Sequence, residues 1–170
     1  MVDINAPHAT STARGDFDAW PCALQTLLDG MDIESKSSFT ASLLAVDESA
    51  RVRTSLLSVG ELFVPDARTL CFALWSSSRT ARAVHSTGRA ALTFVFDEAF
   101  YQLQLNARPV SCGNFPLTCF VATIEAGESQ RVDYARLTTG ISFQLQQHKT
   151  VIERWYGQVQ VLKRLASMHA

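Results

Sequence analysis

Three short stretches carry the side chains most able to hold an anion or a polar ring. Arg51, Arg53 and Ser55 stand two apart, so on a strand they share one face, opposite Val52, Thr54 and Leu56. Guanidiniums fixed beside a hydroxyl can cradle a phosphate, because the arginine fork matches phosphate oxygens. The same face also reads as a solvated strand with paired surface charge. Ser76, Ser77 and Ser78 lead into Arg79, Thr80, Ala81 and Arg82. If a helix starts there, hydroxyls, backbone amides and the positive end of the helix dipole meet in one place. Arg79 and Arg82, three apart, would lie on one helical side; a serine-rich cap with exposed arginines is the alternative. Gln102, Gln104 and Asn106 alternate along a third stretch and offer amides that both donate and accept. Such groups suit a ring edge that presents carbonyls and an N–H side by side, and they equally describe a plain solvent-facing strand.

The elements that must position these groups follow from periodicity. Residues 1–15 are rich in Ala, Thr, Ser and Asp and are expected to form a flexible tail. From Phe17 to Leu28, Trp20, Ala23, Leu24, Leu27 and Leu28 recur at helical spacing, with Asp16 as N-cap and Gly30 as stop. Strands are expected over 39–46, over 51–63 with a break near Gly60, and over 69–75, whose continuous apolar run implies burial on both faces. Asp47-Glu48-Ser49 and Pro65-Asp66 mark turns between them. A short helix over 78–86 precedes a strand over 90–96. Residues 100–108 show the clearest period of two, Tyr101, Leu103, Leu105 and Ala107 against Gln102, Gln104, Asn106 and Arg108. Further strands are expected over 117–124 and 141–145, and a closing helix over 146–168. The pattern implies a mainly β, α+β chain: a split β-barrel of about six strands with a helix at each end, in one domain over 16–168.

Bulk properties narrow the function classes. A formal net charge of −1 provides no field to attract nucleic acid or an anionic membrane, and Arg79, Arg82 and Arg89 are too dispersed to make a basic patch. No apolar run reaches the length of a membrane helix, and the first residues lack the order of a secretory signal. Cys22, Cys71, Cys112 and Cys119 form no zinc or redox pair, so Cys71 and Cys119 read as buried structural thiols in a reduced, cytoplasmic protein. His8, His85, His148 and His169 share no metal spacing. No Ser-His-Asp set and no Gly-rich phosphate loop can be assembled, and Asp97-Glu98 reads as a solvated turn. Catalysis by side chains alone has little support.

The order of the three stretches adds a further signal. Arg53-Thr54-Ser55-Leu56-Leu57-Ser58, then Ser78-Arg79-Thr80, then Thr87-Gly88, then Tyr101-Gln102-Leu103-Gln104-Leu105 resembles the flavin-binding core of the pyridoxamine 5′-phosphate oxidase family. There the corresponding phrases are Arg-x-x-Leu-Leu-Lys, Ser-Arg-Lys, Asn-Pro and Arg-Gln-Val-Arg-Val. The resemblance spans residues 39–124 and implies a split-barrel homodimer that holds FMN non-covalently at the subunit interface. It implies that Arg53, Arg79 and Arg82 hold the phosphate, that Ser55, Ser78 and Gln102 contact ribityl or ring atoms, and that the backbone of Thr54 to Leu56 lies along the ring. Ser58 and Thr80 take the places of two phosphate-binding lysines, and Leu74 replaces a threonine near the flavin. The family's C-terminal Trp with Arg-x-His is absent, and Trp155 reads as a core anchor on a helix, so vitamin B6 oxidation is not expected. The implied activity is that of an FMN-dependent oxidoreductase acting on a small molecule. The missing lysines also suit a non-catalytic binding or stress-associated barrel with a weak or different cofactor, such as haem or a deazaflavin.

Overall fold

The computed structural model describes residues 12–113 and 115–169. In chain order these residues form β1 (Thr12–Phe17), α1 (Cys22–Leu27), β2 (Thr40–Val46), β3 (Val52–Ser58), β4 (Leu62–Phe63), β5 (Thr69–Trp75), α2 (Arg79–Thr87), β6 (Arg89–Phe96), β7 (Ala99–Val110), β8 (Leu117–Val132) and α3 (His148–His169). The eight strands make one antiparallel sheet in the order β3-β2-β6-β7-β8-β5-β4, with β1 added along β8. The sheet curls into a half-barrel, and the main core fills its concave side.

Alternation places that core. Ala41, Leu43 and Ala45 of β2, Leu92 and Phe94 of β6, and Leu103, Leu105 and Ala107 of β7 all face inward and are buried. Strand β5 is buried on both faces, as its unbroken apolar run implies. Leu70, Phe72 and Leu74 join the main core, while Cys71 and Ala73 join Leu117, Cys119 and Val121 beneath Leu162, Leu165 and Ala166 of α3. Phe72 and Phe120 are direct cross-strand partners and their rings stack at 5.0 Å. Each buried ring contributes roughly 1.5–3 kcal/mol by leaving water. Burial pushes the Cys71 thiol up to about 11 and raises that of Cys119 as well. Both remain protonated, inert fillers at neutral pH.

Local signals set the boundaries. The β6–β7 turn is Asp97-Glu98, both in the left-handed region at φ 46° and 61°, the two-residue geometry that matches strand twist. Ser78 caps α2 by accepting from the Ala81 N–H, and Gly88 ends it at φ 69°, where a side chain would be strained. At Gly60 the reason for glycine is contact rather than backbone angle. An added Cβ would overlap the Trp155 ring, which packs α3 onto the chain after β3.

Several expectations change. Residues 12–15, expected in the flexible tail, belong to β1, whose exposed polar strand carries no apolar pattern; residues 1–11 lie outside the described residues. Phe17 ends that strand, so the first helix starts only at Cys22, and Pro21 rather than Asp16 precedes it without a side-chain cap. Strand β8 runs on from Ile124 to Val132 because β1 and β7 both pair with its polar end. Ile141 to Leu145 is not a strand but part of an irregular strap between β8 and α3. There Phe143 meets Trp155 edge-on at 6.3 Å, so side-chain packing takes the place of ladder hydrogen bonds.

Candidate functional site

A cleft of about 630 Å³ opens where the β2–β3 turn, strand β3 and helix α2 meet. Arg53 reaches it from β3, and Arg79, Arg82, His85 and Ser86 from α2. Asp47, Glu48 and Ser49 enter from the turn, and Ser76 and Thr118 close one side. The helix supplies its residues because Thr80, Ala81, Ala83 and Val84 are drawn into the core. Positions three and four apart on the opposite side are then left facing the cleft. Ser55 joins β3 to α2, its hydroxyl 3.5 Å from that of Ser78.

The electrostatics are less simple than three free cations. Asp47 Oδ2 accepts from Arg53 Nε at 2.7 Å and lies 2.7 Å from Nη2. Asp47 Oδ1 accepts the N–H groups of Ser49 and Arg51 at 2.9 and 3.0 Å, which closes the turn. The Arg51 N–H, with help from Arg53 and the Ser49 N–H and against partial burial, holds the Asp47 carboxyl below its usual range. Arg82 donates from Nη1 to the Ser77 carbonyl at 3.2 Å. Among the described residues, Arg79 and Arg82 have no carboxylate partner. An anion in the cleft therefore meets two unpaired guanidiniums and one already shared with a carboxylate, beside a capped helix start.

The remaining sequence candidates separate into two groups. Thr54 and Leu56 point to the outer face of β3, away from Arg53 and Ser55. Gln102 lies on that same outer face, in one row across the sheet: Leu56 pairs Ser42, Ser42 pairs Thr93, Thr93 pairs Gln102, and Gln102 pairs Glu128. At about 4.8 Å per strand, three steps put Gln102 roughly 14 Å from Leu56. It lines a different cleft of about 600 Å³, with Asp16, Asp18, Glu125 and Glu128. Ser58 and Thr80 are both buried, at 3% and 2% exposure, and line neither cleft. The Ser58 N–H and hydroxyl donate to Glu61 Oε2 at 2.8 and 2.9 Å, while burial raises the Glu61 carboxyl and those donors partly offset it. Arg51 stays exposed and does not line the cleft.

Sequence reasoning read Asp47-Glu48-Ser49 only as a turn and weighed His85 only as a metal ligand, so it missed their place beside the arginines. The available signal was hairpin geometry. With Val46 opposite Val52, a residue one step into the turn must lie beside residue 53.

Comparison with known proteins supports the architecture. The chain is 27% identical over 141 residues to the uncharacterized protein YclD of Bacillus subtilis, covering 81% of this chain and 92% of that one. No family model matches the chain. A candidate pyridoxamine 5′-phosphate oxidase from Lactobacillus delbrueckii superposes with a TM-score of 0.51 at 11% identity, over 65% of this chain and 94% of that one. HupZ of Group A Streptococcus superposes with a TM-score of 0.50 at 13% identity, over 74% and 99%. The fold is thus the split barrel of pyridoxamine 5′-phosphate oxidase-like proteins. No helix is long and apolar enough to cross a membrane.

Proposed function

We propose that the chain is an FMN-binding split-barrel protein that acts as a homodimer. The observation that carries this reading is the convergence of Arg53 from β3 with Arg79 and Arg82 from α2 on one cleft at the start of that helix. Two unpaired guanidiniums, one shared guanidinium and the Ser78 cap suit the phosphate end of the cofactor. Ser55 of β3 and the α2 cap Ser78, their hydroxyls 3.5 Å apart, stand close to cleft residues Arg53 and Arg79 in the chain, where hydroxyls can meet a ribityl chain. The ring end is not enclosed by one copy, because Thr54 and Leu56 face outward and Gln102 lies across the sheet from them. Val46, Val52 and Leu56 are exposed at 49%, 62% and 52% on this outer face, an apolar strip that a second copy would cover. In such a dimer, a partner's outer face can bring its own Gln102 to the ring edge and complete the site. Bound flavin would supply hydride or electron transfer, while the protein binds, orients and excludes water. A flavin-dependent oxidoreductase acting on a small molecule is the activity this supports.

The visible spectrum of the purified protein, and its absorbance after FMN is added at micromolar concentration, test the proposal. A yellow, FMN-loaded dimer is expected; a colourless protein with no FMN uptake refutes it. One observation favours a second reading, a barrel with weak or different cofactor binding. The places of both family lysines are buried here as Ser58 and Thr80, and Arg53 is partly neutralised by Asp47. Thermal unfolding with FMN, haem and a deazaflavin separates the two, since a ligand at 100 times its Kd stabilises by about 2.7 kcal/mol. Stabilisation by haem or deazaflavin alone selects the second.

A further inference from the structure

Asp47 is the fixed member of its ion pair. Its Oδ1 is anchored by the N–H groups of Ser49 and Arg51, leaving Oδ2 aimed into the cleft, where Arg53 meets it with Nε and Nη2. The pair is mostly screened from water, at 21% and 23% side-chain exposure for Arg53 and Asp47. One edge of the Arg53 fork is thereby occupied, and only Nη1 and the outer hydrogen of Nη2 remain for another acceptor. Glu48 adds a second carboxylate to the lining. Among the arginines and carboxylates of the lining, three positive charges face two negative ones, a surplus of one.

Resting on the phosphate reading of this cleft, we infer that Asp47 is a specificity-determining residue that masks Arg53 and limits the site to a single phosphate monoester. The physical reason is competition. A phosphate approaching Arg53 must share its guanidinium with a carboxylate that the turn prevents from moving away, and the two anions repel. A monoester can be met by Arg79, Arg82 and the exposed end of Arg53. A pyrophosphate group carries more negative charge than a monoester, so the repulsion from Asp47 and Glu48 costs it more and it gains less from the site. Anion selectivity is set by subtraction, through a carboxylate built into the cationic wall.

Isothermal titration with FMN, inorganic phosphate and pyrophosphate tests this on the full chain and three variants. D47N keeps an oxygen that can accept from Ser49 and Arg51, so the turn has its partner while the charge is gone. D47N is expected to bind FMN roughly tenfold more tightly, the scale of one charge-assisted hydrogen bond, and to gain more for pyrophosphate than for phosphate. E48Q, which lacks the Arg53 contact, should gain at most about threefold. D47N/R53Q, which deletes the pair, should return to within about threefold of the wild type and decides the matter if D47N alone does not fold. Unchanged or weaker FMN binding by D47N, equal gains from D47N and E48Q, or a tenfold loss in the double variant overturns the inference. If neither wild type nor D47N binds any of the three anions, the phosphate reading itself fails and the role of Asp47 falls with it.

Discussion

Two clefts are nearly equal in size, about 630 and 600 Å³, yet opposite in charge and construction. The cationic one is assembled from a turn that brings Asp47 and Glu48, an edge strand that brings Arg53, and a helix that brings Arg79 and Arg82. The acidic one lies on the sheet itself, between β1, β7 and β8: Asp16 and Glu128 are direct cross-strand partners, Glu125 also stands on β8, and Asp18 follows the end of β1. Its charges are partly met nearby, Glu125 by Arg89 and Asp18 by Arg68, both on exposed surface where such pairs contribute little. A pocket built from loop and helix can therefore be tuned one residue at a time. One built on a ladder is bound to its register, because every second residue must face the same way.

The contrast can be broken or sharpened by measurement. The largest effect should come from removing what both clefts stand on. Trp155→Ala empties the seat between α3 and Gly60 and should cost about 3–5 kcal/mol in denaturant unfolding. If the clefts belong to one cooperative unit, probes near Arg79 and near Gln102 will melt together; separate transitions would show two independent regions. Next, R79A/R82A should weaken FMN binding about a hundredfold by fluorescence titration, near 1.4 kcal/mol for each charged group. A loss of less than threefold would remove the cationic cleft from the binding site. Q102A on the opposite cleft should cost only about fivefold, the scale of one neutral hydrogen bond. Mixed dimers carrying R79A/R82A in one copy and Q102A in the other would then retain one intact site if each site draws Gln102 from the partner.

The smallest effect concerns pH. Burial raises the Glu61 carboxyl in the folded chain. The unfolded chain therefore releases this proton first, and stability falls as pH climbs from the ordinary value of 4.5 towards the folded one, then levels. E61Q should abolish that slope and shift the thermal midpoint at pH 7 by a few degrees at most. Asp47 has the opposite sign: its contribution is present above the ordinary value of 3.8 and is lost as pH falls through the lowered folded value. Thermal midpoints of wild type, E61Q and D47N between pH 3 and 8 check both directions.

How much was legible in the sequence depended on which faces water touches. Thr69–Trp75 was readable to the residue because a strand buried on both sides must be apolar throughout. The helix expected over 78–86 lies one residue from the observed Arg79–Thr87, because the serines ahead of it offered a cap, while its stop at Gly88 was not read. By contrast β1 and the second half of β8 are strands whose sequences, TARGDF and EAGESQRV, show no apolar alternation. They pair mainly through backbone, and backbone hydrogen bonds leave no trace in residue type. The meeting of Arg53, Arg79 and Arg82 was readable from motif order. The masking of Arg53 by Asp47 was not, since it depends on hairpin register. Nor was the burial of Ser58 and Thr80, which depends on how distant segments pack.

Strand β8 has a consequence for how the molecule comes into being. It serves as a shared rail: β5 docks along its first half, β7 along most of its length and β1 along its last residues, with Thr12 opposite Val132. During synthesis β1 leaves the ribosome more than a hundred residues before the end of β8, so it must wait for β8 before it finds its partner. Closure of so long a loop is slow, so β1 should dock late and its substitutions should quicken unfolding more than they delay folding. Until β8 arrives, the nascent chain carries unpaired edges on β5 and β7, the interval in which this protein is most exposed to aggregation.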